Sequence, residues 1–541
     1  MALDAQQSAP PGPAAEGATQ HGGNPPQPAP VAAQQQQQQQ QATRPIYIAE
    51  YRVIGAHKLT PEEVGEAVYP YLGPERTADD VDQARAALEK AYQNKGFQTV
   101  SVRIPPQQVT GGVVVLQVVE GTVGRLRVRG ARYFSPEQIK QAAPSLAEGT
   151  VPDFDQVSKD IVALNQLADL KITPTLRAGA LPDTVDVDLN VKDTLPLHGS
   201  LELNNRYSPN TTPLRINGVL SYNNLWQLGH SLGFSFQIDP QDSNDAEVFS
   251  GYYLLRIPQL NWLTFILQGT KQNSNVSTLG GGAVAGRNSD LGLRAVIGLP
   301  PGKDFFHSFS FGIDYKKVQQ STHLGTGTIE TPLTYYPWNA TYSATWLKKG
   351  SETDLNAGVT FNVRGFGSPD SAFDNSRFDA TGSFIYFRGD LSETLDLPAG
   401  FQLFSKVQGQ IADQPLVNTE QFAGGGLATV RGYLEAEELG DDALFGSVEF
   451  RSPSLLSYFP WFTGKGNEWR IYGFFEGGKL TLLDTLPQQT SLFELVSYGI
   501  GSRLKLEDHL NGSIDAGVPL IPGPNTAWRE VRVTFRLWAD F

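Results

Sequence analysis

The residues best placed to do chemistry stand in Val430-Arg431-Gly432-Tyr433, inside a Gly-rich, acid-rich loop that runs from about Gln414 to Asp442. Arginine presents a permanently charged planar fork, which must find carboxylates wherever it leaves water. Gly424, Gly425, Gly426 and Gly432 let the backbone turn back on itself at low steric cost. Two candidate partners lie downstream, Glu449 in Gly446-Ser447-Val448-Glu449-Phe450-Arg451 and Glu476 in Phe474-Phe475-Glu476-Gly477-Gly478. The chemistry on offer is ion pairing, not bond making. The sequence offers no convincing catalytic triad or metal site and no Gly-x-x-x-x-Gly-Lys-Ser/Thr nucleotide loop, so no cofactor, no metal and no enzymatic activity are expected. His57 and His198 are lone histidines and read as solvated.

The elements that must carry these residues are strands, because successive side chains of a strand alternate between faces. Glu449 then shares a polar face with Ser447 and Arg451, while Val448 and Phe450 point the other way. In the next segment Arg470, Tyr472 and Glu476 fall on one side and Trp469, Ile471 and Phe475 on the other. If these strands close a barrel in a membrane, both glutamates face its lumen, where a loop folded inward can reach them.

Composition narrows the class. The chain has 541 residues, 18% of them charged, with 55 glycines, no cysteine and a net charge of -14. Without cysteine there is no disulfide or thiolate chemistry. An acidic balance argues against nucleic acid as a partner. No apolar run approaches the roughly 20 residues that a membrane-spanning helix needs, which excludes a helical membrane protein. All eight tryptophans (Trp226, Trp262, Trp338, Trp346, Trp461, Trp469, Trp528 and Trp538) lie beyond residue 225, many beside an expected strand end, as an interfacial girdle requires.

Residues 1–44 are dominated by Pro, Ala and Gln, ending in an unbroken Gln34 to Gln41, and read as a disordered tail or linker. They lack the basic start and apolar middle of an export signal, so the numbering is expected to begin after a removed one. Next comes an internal repeat. Arg52-Val53-Ile54-Gly55-Ala56-His57-Lys58-Leu59-Thr60-Pro61-Glu62-Glu63-Val64 returns as Arg127-Val128-Arg129-Gly130-Ala131-Arg132-Tyr133-Phe134-Ser135-Pro136-Glu137-Gln138-Ile139, 75 residues on (127 − 52). Two copies mean two small domains, at 45–120 and 121–192. Each opens with a strand and a glycine, then starts a helix at Thr60-Pro61-Glu62-Glu63 or Ser135-Pro136-Glu137-Gln138, both written as capping boxes with proline in the first turn. A second helix follows at Val81, Ala84, Leu88, Ala91 and Tyr92, or at Val157, Ile161, Leu164 and Leu167. Two strands close each copy, near 98–104 and 113–119 and near 171–176 and 185–191. The order is β-α-α-β-β.

From residue 193 the pattern is strands and turns without helical periodicity. Sixteen strands are expected: 198–207, 213–222, 229–238, 247–256, 261–271, 289–299, 305–317, 338–349, 353–364, 377–389, 400–412, 443–452, 469–478, 495–505, 511–518 and 530–541. Connections after the second, fourth, sixth and eighth are tight, whereas those after the fifth and seventh are long, the wiring of an outer-membrane barrel. The loop at 413–442 then joins strands eleven and twelve from the outer side. The last strand alternates Val531, Val533, Phe535, Leu537, Ala539 and Phe541 against Arg532, Thr534, Arg536 and Asp540.

The repeat, with Val118-Val119-Glu120-Gly121 at its join, resembles the polypeptide-transport-associated (POTRA) domain. With sixteen strands and Val430-Arg431-Gly432-Tyr433 in the sixth outer loop, residues 46 to 541 resemble the two-partner secretion transporters (TpsB type, the filamentous-haemagglutinin and haemolysin exporters) of the outer-membrane 85 superfamily. The resemblance implies a transmembrane β-barrel of about 16 antiparallel strands at 193–541 behind two POTRA domains. It also implies that Arg431 folds into the lumen and pairs with Glu476 on strand thirteen, with Glu449 on strand twelve nearby, and that Phe535, Leu537 and Phe541 form the barrel-assembly signal. Two departures stand out: Glu476 occupies a position where many relatives carry Asp, and residues 1–44 show no amphipathic pattern for the N-terminal helix that plugs relatives.

On that resemblance the partners are a secreted exoprotein, outer-membrane lipid and the barrel-assembly machinery, and the location is the bacterial outer membrane with the POTRA domains in the periplasm. The unfolded exoprotein binds the POTRA domains, whose sheet edge can accept an extended peptide. It then threads the barrel and folds outside without nucleotide hydrolysis. Two rivals are a barrel insertase of the same superfamily, acting at the seam between first and last strands, and a passive porin or receptor.

Overall fold

The computed structural model describes residues 45–541 other than 243–244, 258–259, 275, 278–283, 286, 325–326, 460–465 and 508. The expected tail at 1–44, any plug within it, and Trp461 lie outside the described residues. Two compact units emerge, one centred on the first repeat and one containing the second repeat and the barrel.

In the first unit the strands Glu50–Ile54, Val113–Glu120 and Val100–Arg103 form a three-stranded sheet in that order, the first pair parallel and the second antiparallel. Against it pack the helices Pro61–Val68 and Ala78–Asn94. The expected helical stripe supplies the core: Val81, Ala84, Leu88 and Tyr92 are buried beside Val114, Leu116 and Val118. Thr60 and Glu63 make the reciprocal cap written in the sequence. A short pairing of Ile46–Ile48 with Gly73–Arg76 is an addition the β-α-α-β-β reading lacked.

The second repeat uses the same order, with Thr122–Arg129, Thr184–Asp193 and Leu170–Ala178 as neighbours. Its helices are Pro136–Gln141 and Phe154–Asn165. Two expectations fail here. Ser135 makes no side-chain cap; its backbone amide instead donates to the Gln227 side chain at 2.8 Å. Leu167 lies past the helix end, where it packs onto Gly229.

Both repeats share a device at the turn after their first strand. Gly55 and Gly130 sit at φ +84° and +88°, each so close to a carbonyl of the last strand, Val118 or Val191, that a Cβ would stand 2.5 Å from its oxygen. Two residues beyond that carbonyl an acid captures the turn: Glu120 accepts the amides of His57 and Lys58 at 2.7 and 2.8 Å, and Asp193 those of Arg132 and Tyr133 at 2.8 and 2.7 Å. His57 is exposed as expected, whereas His198 is held by Asp169, Nε2 to Oδ1 2.7 Å.

The remainder closes into an antiparallel barrel whose strands are numbered here β1 to β16. β1 is Leu197–Asn204, β2 Arg215–Leu225, β3 His230–Ile238, β4 Ala246–Arg256, β5 Leu263–Ser274 and β6 Asn288–Gly298. β7 is Phe305–Leu324, and β8 comprises Gly327–Tyr335 and Trp338–Lys348, both paired to β7. β9 is Ser351–Phe361, β10 Ile385–Asp396, β11 Gln402–Ala412 and β12 Asp442–Arg451. β13 is Glu468–Thr481, β14 Leu492–Leu506, β15 Leu510–Pro519 and β16 Arg532–Asp540, which pairs back onto β1.

The expected count holds, with local differences. The long connection foreseen after strand seven is a tall hairpin, because β7 and β8 keep pairing up to Leu324↔Gly327. Strand ten starts eight residues later than expected, at Ile385, behind a short helix Asp370–Ser376 whose Phe373 is buried against Tyr335. Alternation decides the faces. Leu232, Phe234, Leu293, Phe311, Phe387, Ile411, Val448, Phe450, Ile471, Phe475, Ile500 and Ile514 stand exposed, while Glu449, Tyr472, Phe474, Glu476 and Asp515 are buried inside. A sheet that exposes its apolar face and buries its charges is a membrane wall, not a soluble sandwich. Trp469 lies on the outer face near a strand end and Trp338 on the outer face midway along β8, but Trp538 shares the inward face of Arg536.

Candidate functional site: a loop tied into the barrel lumen

Between β11 and β12 the chain turns into the lumen, and nearly every residue from 415 to 437 is buried or nearly so. It forms a small ladder of its own, Phe422–Gly424 against Glu438–Gly440. The tip between these strands carries Val430, Arg431, Gly432 and Tyr433. Gly432 has φ +98° and lies backbone to backbone against Gly517 of β15, where a Cβ on Gly517 would meet the Gly432 nitrogen at 2.6 Å. Only glycine on both sides permits that approach.

Arg431 is 3% exposed and surrounded by acids. Its Nε lies 3.0 Å from Glu476 Oε1 on β13, its Nη2 2.8 Å from Glu449 Oε1 on β12, and its Nη1 2.9 Å from Asp515 Oδ1 on β15. The backbone amide of Arg431 donates to the other Glu476 oxygen at 2.6 Å. The guanidinium lies 3.7 Å above the Phe474 ring, and the Tyr472 hydroxyl donates to Asp515 at 2.7 Å. Arg451 and Arg503 reach Glu449 from the wall at 2.7 and 3.1 Å, so three cations face three anions. Such a buried cluster is costly to assemble and costlier to break, since losing one partner strands a charge away from water.

The residues flanking Arg431 complete the attachment. Val430 is fully buried, and the Tyr433 hydroxyl donates to the Ile521 carbonyl at 2.6 Å. Further acids of the loop bind other parts of the wall. Glu420 accepts from Lys316 on β7 at 2.6 Å, Tyr335 on β8 at 2.6 Å and Tyr386 on β10 at 2.8 Å. Glu435 takes Arg206, just past β1, at 2.7 Å, and Glu437 takes the Asn525 amide and Thr526 hydroxyl beyond β15 at 2.7 and 2.9 Å. The loop is thus a strut across the lumen.

Arg431, Glu449 and Glu476 are brought together. Asp515 was not singled out from sequence, although its signal was present: Asn511, Ser513 and Asp515 alternate as the polar face of β15. Glu420, Glu435 and Glu437 carried no such signal, because an acid in a loop reveals no partner. At the barrel seam, Phe541 exchanges backbone hydrogen bonds with Gly199 at 2.9 and 3.1 Å and lays its ring over that glycine. Leu537 points outward, while Phe535 is partly covered. Among the described residues no group of His, Cys, Asp and Glu is arranged to hold a metal ion.

Comparison with known proteins follows the same lines. A ShlB-type POTRA domain model matches residues 46–121, and the model of the haemolysin secretion/activation protein ShlB/FhaC/HecB matches residues 183–504. The outer membrane transporter CdiB of Escherichia coli strain 536 is 26% identical over 172 residues, which span 32% of this chain and 29% of that protein's length. The heme/hemopexin transporter protein HuxB of Haemophilus influenzae is 20% identical over 415 residues, 73% of this chain and 70% of that one. Among solved structures, CdiB from Escherichia coli superposes with a TM-score of 0.65 at 20% identity, covering 94% of this chain and 98% of that one. BamA from Haemophilus ducreyi lacking POTRA domains 1–3 gives 0.53 at 12% identity, over 92% and 100%.

Fold and matches together define an outer-membrane β-barrel transporter preceded by POTRA structure. The chain belongs to the ShlB/FhaC/HecB haemolysin secretion/activation family, the transporters of two-partner secretion.

Proposed function

We propose that this chain secretes an unfolded exoprotein across the outer membrane, taking it up in the periplasm through its POTRA domains and passing it through the barrel without nucleotide hydrolysis. The observation that carries this reading is the strut. A loop tied inside the lumen by Arg431 and by Glu420, Glu435 and Glu437 stands in the path of a passenger, and passage would depend on releasing or shifting that loop. A passive porin needs no such closure. Vectorial movement would draw on the passenger's folding outside. The outer wall meets outer-membrane lipid, and β16 with Phe535, Leu537 and Phe541 is the segment the barrel-assembly machinery would read during biogenesis.

One observation favours the insertase reading. β16 and its last residue pair with β1 over only six residues, Arg536↔Asn204 to Phe541↔Gly199, against fourteen between β13 and β14. Deleting the gene separates the two. Loss of one large exoprotein from the medium supports secretion, whereas depletion of many barrel proteins from the outer membrane supports insertion.

A further inference from the structure

At the end of the barrel where β2 turns into β3 and β4 into β5, the second repeat and those turns enclose a cavity of about 380 Å³. That volume is in the range of specific ligand sites. Its floor is apolar, with Ile139, Leu164 and Leu167 among the lining residues, and its rim carries Leu228 and the carboxamides of Gln138, Gln166 and Asn261. Arg256, the last residue of β4, also lines it. The Arg256 Nε is buried and has no hydrogen-bond partner, and among the described residues the guanidinium meets no carboxylate. No Asp or Glu lines the cavity. By contrast Arg431, Arg206 and Arg451 each have an acid.

A guanidinium only partly in water, with its Nε buried and no carboxylate in reach, leaves the wall of an apolar cavity open to an anion that pairs with it. The three carboxamide side chains make no hydrogen bonds of their own among the described residues, and each can both donate and accept. That combination matches the alternating N–H and C=O of a peptide backbone better than a lipid phosphate, which offers acceptors alone. We infer that this cavity binds an extended peptide segment bearing one carboxylate between apolar side chains, with the carboxylate on Arg256. The inference rests on the secretion reading for its biological occupant, the unfolded exoprotein, and deepens it by naming the chemistry recognised at the periplasmic end.

The test uses the full-length protein in detergent micelles and a fluorescein-labelled peptide, Ala-Leu-Asp-Leu-Val amide, beside its Asn counterpart, read by fluorescence anisotropy. The Asp peptide is expected to bind the native chain and to bind Arg256→Gln roughly tenfold more weakly, the scale of one charge-assisted pair. Arg256→Lys should recover part of the loss, and Leu228→Glu, at a rim position 39% exposed, should reproduce it by occupying the guanidinium with a tethered carboxylate. The Asn peptide should bind weakly and ignore Arg256→Gln. Heat-modifiable migration on gels verifies that each variant keeps its barrel. Equal binding of the two peptides, or displacement of the Asp peptide by lysophosphatidylglycerol more readily than by unlabelled peptide, overturns the inference, the latter assigning the cavity to lipid. The two readings fail separately. Peptide binding that persists while gene deletion leaves the medium unchanged removes the secretion reading alone, and lost secretion without peptide binding removes the cavity alone.

Discussion

Nη1 of Arg431 and the Tyr472 hydroxyl converge on a single oxygen, Oδ1 of Asp515, at 2.9 and 2.7 Å. Asp515 sits on β15, two strands beyond the glutamate that holds the other side of the guanidinium. The tip of the loop is therefore attached to strands β12, β13 and β15, and its hold does not depend on one ion pair.

Asp515→Asn should weaken that hold without unfolding the barrel. It keeps the shape and removes one charge from a set of three cations and three anions. Arg431→Ala removes more, stranding Glu476 and Asp515, and breaking a buried pair in this way costs about 3–5 kcal/mol. Planar-bilayer conductance reads the result: the open fraction should rise modestly for Asp515→Asn and strongly for Arg431→Ala, with heat-modifiable migration unchanged. Equal closure of Arg431→Ala and the native chain would show that the other loop acids alone hold the strut, and unchanged export by that variant would remove Arg431 from the mechanism.

The acid that captures the turn in the first repeat predicts a pH dependence. Burial pushes the Glu120 carboxyl up, but the His57 and Lys58 amides and the Tyr92 hydroxyl favour the charged form and together hold it below the ordinary glutamate value. A depressed folded value contributes stability above the unfolded pKa, and that stability is lost as pH falls through the folded value. Protection of the His57 and Lys58 amides against hydrogen exchange, referred to the free-peptide rates, should be level at neutral pH and should fall in acid below about pH 4.3. Glu120→Gln should be less protected at neutral pH and show no such fall. A fall of equal size in Glu120→Gln would assign it to another group.

How far the sequence reaches is clear from particular residues. Strand number and facing were legible because alternation at Glu449 and Glu476 is a local property of the strand that any wall residue reports. The helical stripe Val81, Ala84, Leu88 and Tyr92 was legible for the same reason. Ser135 failed because its amide found the Gln227 side chain 92 residues away, a partner that no local rule contains. The tall β7–β8 hairpin was hidden by Gly325 and Gly327, which read equally well as loop or as turn. The acids Glu420, Glu435 and Glu437 lie in a loop with no alternation to name a partner, and only the inward path of the chain turns them into anchors.

The repeat glycines give a prediction with two signs inside one small unit. Gly55 lies at φ +84°, with the Val118 carbonyl oxygen where a Cβ would need to be, 2.5 Å away. Gly55→Ala must therefore either hold an alanine in the left-handed region, at roughly 1–3 kcal/mol, or pull the first strand off the last. Gly65 is the opposite case. It lies within the helix Pro61–Val68, and an added methyl group there would have no neighbour inside 4 Å, so Gly65→Ala gains helix propensity of about 1 kcal/mol and meets no clash. Hydrogen exchange of strand Val113–Glu120 in the full-length protein measures both: protection should drop in Gly55→Ala and rise in Gly65→Ala. Gly130→Ala should repeat the Gly55 loss in strand Thr184–Asp193, because its Cβ would meet the Val191 oxygen at the same 2.5 Å. If Gly55→Ala and Gly65→Ala shift protection in the same direction, the turn after the first strand is not what fixes these sheets.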